Sequence, residues 1–178
     1  MSMSPATNFP FSAATGESQP QGTPRWWPVV AIIAATVATA AIGGLITAPR
    51  IPTWYATLPK PWFTPPNWLF APVWTMLYIV MAATAIRVWL AHAPLHLRQT
   101  ALLMFFVQLA LNFLWTPAFF GLRNPGLGLA VIALLWMAIL LTMRAFHAVR
   151  PWAAWAWLPY LAWVSYATAL NAAIFSSI

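Results

Sequence analysis

Four side chains in one apolar run, Gln108, Asn112, Trp115 and Phe119, recur at i, i+4, i+7 and i+11, which is a single face of a helix. Tyr160, Trp163, Ala167 and Asn171 repeat the pattern further on, and Trp74, Tyr78 and Met81 share a side of an earlier run. Amides and indoles are costly among lipid tails, so such groups turn toward protein or ligand. Three stripes of rings with a few amides would line a pocket with apolar walls and sparse polar groups. The chemistry of such a pocket is recognition of a flat apolar molecule by stacking. The same Asn112 and Asn171 also fit a purely structural role, bonding neighbouring helices to each other.

Other chemistries lack their parts. The chain has one acid, Glu17, which leaves no carboxylate pair and no Asp or Glu proton relay. It has no cysteine, and no Ser–His–Asp set can be built within its apolar runs. His92 and His96 stand four apart, but Pro94 interrupts any helix between them. Together with His147 they read as headgroup-level histidines, and no metal site is expected.

The stretch Trp54–Tyr78 organises the chain: WYATLPKPWFTPPNWLFAPVWTMLY. Pro59, Pro61, Pro65 and Pro66 force its front half away from helix. Asn67 is placed to cap a helix that runs on from Trp68. A stiff aromatic loop feeding an apolar helix would roof a pocket.

The elements that must carry these residues are membrane spans. Of 178 residues, 62% are apolar and only 5% charged, against roughly 25% charged in soluble domains. The polar segment 1–26 is expected to be a disordered tail. Five apolar runs follow, near 27–48, 68–91, 97–122, 126–147 and 151–174, each reaching the ~20 residues that cross a bilayer as a helix. The reading is an all-α integral membrane protein, a bundle of five transmembrane helices. Pro117 and Pro159 should kink two of them. The small residues Ala35, Thr39 and Gly43, and again Gly126 and Ala130, are suited to close helix contacts.

Arg25, Arg87, Arg98, Arg144 and Arg150 fall on one side of the bundle and Arg50, Lys60 and Arg123 on the other, which favours a cytoplasmic N-terminus. The net charge of +7 comes from residues scattered at span ends, with no basic run and no nucleic-acid motif. Most tryptophans sit at span ends, as interfacial belts require, and only Trp74, Trp115, Trp136 and Trp163 lie deeper.

The segments WYATLPKPWFTPPNWLFAPVW from Trp54, NFLWTPAFFG from Asn112 and LPYLAWVSYATALN from Leu158 resemble the TspO/MBR family of tryptophan-rich sensory and translocator proteins. The resemblance covers about 27–175. It implies a five-helix bundle, usually a homodimer, that binds porphyrins such as protoporphyrin IX, haem, and benzodiazepine-site ligands. It also implies a link to tetrapyrrole traffic and stress regulation. Onto this sequence it maps pocket positions at Tyr55, Trp74, Asn112, Trp115, Trp163 and Ala167. Mammalian members end the fifth helix with a Leu…Tyr…Arg sterol pattern; here Leu170 is followed by no such Tyr or basic residue, which argues against mammalian-type sterol binding by that motif. The chain is expected to be a bacterial member.

The expectation is therefore a membrane receptor or sensor. A porphyrin ring would stack among Tyr55, Trp62, Trp74, Trp115 and Trp163, oriented by Asn112, with Ala167 leaving room. Arg50 and Lys60 would pair with its carboxylates. The expected partners are the porphyrin, the bilayer and a second copy of the chain, with no obligatory cofactor. Two alternatives remain: a light-dependent porphyrin-degrading enzyme using Trp74 and Trp163 as electron donors, and a tetrapyrrole transporter.

Overall fold

The computed structural model describes residues 26–178. Apart from Trp26, the tail expected over 1–26, with Glu17 and Arg25, lies outside the described residues. Helix α1 is Trp26–Thr47, α2 Phe70–Trp89, α3 Leu95–Thr116, α4 Pro125–Val149, α5 Pro151–Trp155 and α6 Leu158–Ser176. Five spans result: α1; α2 with a lead-in turn from Asn67; α3 with its extension to Gly121; α4; and α5 with α6. No strand occurs among the described residues.

Prolines and polar caps decide where these helices begin and break. At α4, Pro125 occupies the first turn, where a missing N–H costs nothing, and the Asn124 side chain accepts from the Leu127 N–H at 2.9 Å. Asn67 does not cap as expected: Pro66 precedes the turn, no side-chain cap forms, and Asn67 becomes its first residue. Pro117 cannot donate into α3, and the helix widens into a π-type turn over Pro117–Gly121, closed by Leu122 N–H to Pro117 O at 2.8 Å. Pro159 acts similarly on the last span, where α5 stops at Trp155 and α6 restarts at Leu158.

The core is a plug of large side chains between α2, α3, α4 and the last span, including Met81, Phe105, Ile139, Phe146, Trp157 and Tyr160, all buried. The outward faces remain apolar: Val37, Leu45, Ile79, Leu103, Leu134 and Leu141 are exposed. Water would not tolerate that surface, whereas lipid tails solvate it at no cost. The chain is an integral multi-pass membrane protein.

Trp157 corrects the sorting of tryptophans by distance from the span ends. It is 0% exposed, and its indole N–H donates to Thr84 Oγ1 at 2.8 Å. The break between α5 and α6 turns this ring inward. Of the rings expected at span ends, Trp26, Trp27, Trp152 and Trp155 are exposed, as interfacial rings are, whereas Trp89 is buried.

Candidate ligand cavity

One end of the bundle is less tightly filled than the middle. A cavity of about 310 Å³ lies there between α1, α2, the end of α3 and α6. Its walls include Tyr55, Phe70, Trp74, Tyr78, Trp115, Phe119, Phe120 and Trp163, with Ala167, Leu170, Asn171 and Ile174 along α6. No charged side chain lines it.

Two irregular turns bring the rings of its upper part together. Ile51–Tyr55 forms a π-type turn after α1, closed by Tyr55 N–H to Arg50 O at 2.9 Å. It faces the Pro117–Gly121 turn, so that Tyr55 meets Phe120 at 5.8 Å and Trp54 meets Phe119 edge-on at 5.5 Å between ring centroids. Such five-residue turns rotate side chains off the regular helical face. They put consecutive Phe119 and Phe120 against the same group of rings.

The loop that follows is tied down at both ends. The Tyr166 hydroxyl of α6 donates to Phe63 O at 2.6 Å. The Lys60 ammonium donates to Tyr55 O at 2.8 Å, Ala56 O at 3.1 Å and Leu58 O at 3.3 Å.

The cavity floor is a buried polar chain. Tyr78 donates to Asn112 Oδ1 at 2.7 Å, Asn112 Nδ2 donates to the Tyr160 hydroxyl at 2.9 Å, and that hydroxyl donates to Gln108 Oε1 at 3.0 Å. Trp74 rests on this floor, 5.6 Å from the Tyr78 ring and 6.3 Å from Tyr160. On the far wall Trp115 stacks on Phe119 at 5.3 Å and points its indole N–H at Asn171 Oδ1, 3.4 Å away. Asn171 in turn donates to Pro125 O at 2.7 Å.

Among the described residues two buried side-chain polar atoms are left over. The Tyr55 hydroxyl and the Trp163 indole nitrogen are buried without a hydrogen-bond partner. Both residues line the cavity. Tyr55 is only 3% exposed, and burial, reinforced by the Tyr166 phenol, pushes its pKa up to about 12. It is therefore a neutral donor over the whole physiological range. A buried donor with no partner costs free energy unless something accepts from it.

The expected site residues sort as follows. Tyr55, Trp74, Trp115, Trp163 and Ala167 line one cavity. Asn112 is not on its wall, because both ends of its amide are taken by Tyr78 and Tyr160 one layer below. Trp62 is 95% exposed and packs only on Phe63. The prolines that stiffen the loop turn this ring away from the bundle. Lys60 has its donors spent on backbone carbonyls. Arg50 is half-buried beside the turn but does not line the cavity.

The sequence reading missed Phe70 and Phe120 on the walls, and the whole contribution of α1 and its end: Ala40, Gly43, Gly44 and Thr47, with Ala48 in the turn that follows. The signal for α1 was its small-residue stripe, read only as a packing face. A methyl on Gly43 would come 3.6 Å from Thr116 Oγ1, an ordinary contact, while one on Gly44 would meet nothing within 4 Å. Gly44 of α1, Ala48 just after it, and Ala71 and Thr75 of α2 are exposed while lining the cavity, so the cavity opens sideways between these helices.

Comparison with known proteins bears on this arrangement. A model of the TspO/MBR family matches residues 30–176. The chain is similar to the "Tryptophan-rich protein TspO" of Archaeoglobus fulgidus, 44% identical over 148 residues, which is 83% of this chain and 94% of the relative. It is 40% identical over 146 residues to the "Tryptophan-rich sensory protein" of Cereibacter sphaeroides, covering 82% of this chain and 88% of the relative. With the "Translocator protein" of Homo sapiens it shares 35% identity over 149 residues, covering 83% and 88%.

Proposed function

This chain belongs to the TspO/MBR family, and from that premise we propose that it is a membrane receptor for porphyrin-type ligands, taking benzodiazepine-site-type molecules in the same cavity. The observation that carries the reading is a chamber walled by aromatic rings, two of whose residues, Tyr55 and Trp163, carry a buried donor with no protein acceptor. Rings from four separate elements offer stacking faces, and a small shift of either side chain would bring its donor to an acceptor oxygen or ring nitrogen on the ligand.

Size supports an edge-on pose. The cavity volume of about 310 Å³ is at the small end of ligand pockets, which run roughly 300–1,000 Å³. A substituted tetrapyrrole exceeds it, so the ring would enter between α1 and α2 and keep one edge in the slot beside Gly44 and Thr75. Its carboxylates would then reach the headgroup level, near Arg50, whose guanidinium has no partner among the described residues. The working unit would be a homodimer, testable by cross-linking in the membrane.

Quenching of tryptophan fluorescence by protoporphyrin IX tests the proposal. The wild type should bind saturably, and Trp74→Ala combined with Trp163→Ala should lose most of the affinity. Equal affinity in the double variant would remove the cavity as the binding site.

A further inference from the structure

Lys60 stands where the sequence suggested a partner for ligand carboxylates, but its surroundings assign it different work. Its nitrogen is within 2.8, 3.1 and 3.3 Å of the carbonyls of Tyr55, Ala56 and Leu58. An ammonium has three donors, so all three are engaged. These carbonyls lie at the C-terminal end of the turn that begins at Ile51, where only Tyr55 O has a backbone partner among the described residues, the Leu58 N–H at 3.4 Å, and where partial negative charge favours a cation. The same nitrogen lies 5.0 Å from the centroid of the Tyr55 ring, within cation–π range. Lys60 therefore grips both the backbone and the ring of a residue that lines the cavity and whose hydroxyl is buried and unpartnered.

We propose that Lys60 is a positioning residue: it holds Tyr55 with its hydroxyl inside the cavity and does not itself touch the ligand. The proposal rests on the cavity being the ligand site, and it names what sets the donor there. A lysine suits the task because one compact nitrogen meets three converging carbonyls. The flat guanidinium fork of arginine spreads its donors in a plane and matches three carbonyls converging on one point less well. Proline at 59 and at 61 brackets the lysine, and the fixed φ of each stiffens the backbone that carries it.

The test separates positioning from ligand pairing. Protoporphyrin IX and its dimethyl ester, which has no carboxylate, are titrated into full-length wild type, Lys60→Met, Lys60→Arg, Tyr55→Phe and the double variant Tyr55→Phe with Lys60→Met. A positioning role weakens both probes by the same factor in Lys60→Met, about three- to thirtyfold. Arginine does not restore it, and the Lys60 substitution adds little once Tyr55 is phenylalanine. Loss confined to the diacid, with arginine restoring it, would show a direct carboxylate contact and overturn the proposal, as would unchanged affinity for both probes.

A second measurement needs no ligand. In protein labelled at the tyrosine ring Cζ carbon there are four signals, and Tyr55→Phe identifies one. Lys60→Met should shift the Tyr55 signal further than those of Tyr78, Tyr160 and Tyr166; an unmoved Tyr55 signal overturns the proposal. Should wild type bind neither probe, the porphyrin reading fails while this signal still decides the role of Lys60.

Discussion

The Tyr78 hydroxyl donates to Asn112 Oδ1 at 2.7 Å, and this one bond separates the cavity from the core. Tyr78 lines the cavity, whereas Asn112 is buried beneath it and also holds Tyr160. The amide thus acts on a ligand only through the tyrosine it fixes.

Replacing Asn112 by leucine should leave the Tyr78 and Tyr160 hydroxyls short of a partner each. Unsatisfied buried hydroxyls cost about 1–3 kcal/mol, and the penalty in a membrane bundle falls toward the lower end because the unfolded reference also finds partners. A lowered midpoint of thermal unfolding in detergent is the expected outcome, with a smaller loss in Tyr78→Phe, which preserves the bond from Asn112 to Tyr160.

Tyr55→Phe should separate stability from binding. The hydroxyl has no protein partner, so removing it should leave the unfolding midpoint unchanged or raise it at neutral pH. Affinity for an oxygen-bearing ligand should fall about three- to tenfold, the worth of one neutral hydrogen bond.

The same variant has a pH signature. Tyr55 has its pKa raised from 10.0 to about 12, so between these values the unfolded chain loses a proton that the folded one keeps. Stability from this group is complete below pH 10 and is lost as pH climbs toward the folded value. Thermal midpoints at pH 9 and 11.5 should therefore fall further in wild type than in Tyr55→Phe.

Gly44→Phe should close the side opening. A Cβ there meets nothing within 4 Å, and leaving glycine favours the helix by up to about 1 kcal/mol. The expected result is an unaltered or higher thermal midpoint with porphyrin quenching weakened about tenfold or more. Full affinity would mean that the ligand does not use the slot between α1 and α2.

Gly128→Ala should do the reverse and cost stability. Its added carbon would sit 2.9 Å from both Asn171 Oδ1 and Phe119 Cδ2. Asn171 cannot yield without straining its bond to Pro125 O, and Phe119 is held in the stack with Trp115. Overpacking of this kind costs about 1–3 kcal/mol, readable as a fall in the unfolding midpoint, and the Trp115 wall should shift with it.

Much of this molecule is written in local pattern. Five long apolar runs have one outcome in a bilayer, because each backbone N–H must be paired within its own segment. Helical spacing alone put Trp74 and Tyr78, Trp115 and Phe119, and Trp163, Ala167 and Asn171 on shared faces, and the cavity is built from those faces. Pattern along a chain stops short of distance between chain segments. Whether Asn112 met a ligand or Tyr160 depended on how deep α3 sits against α2 and α6. Whether Trp62 and Lys60 turned inward depended on the fold of a proline-set loop with no period to read. The break at Pro159 buried Trp157, a ring that a count from the span end leaves at the interface. Periodicity reports which side of a helix a residue occupies; only the packed bundle decides what stands opposite, because that depends on the relative height and rotation of rods that no single segment encodes.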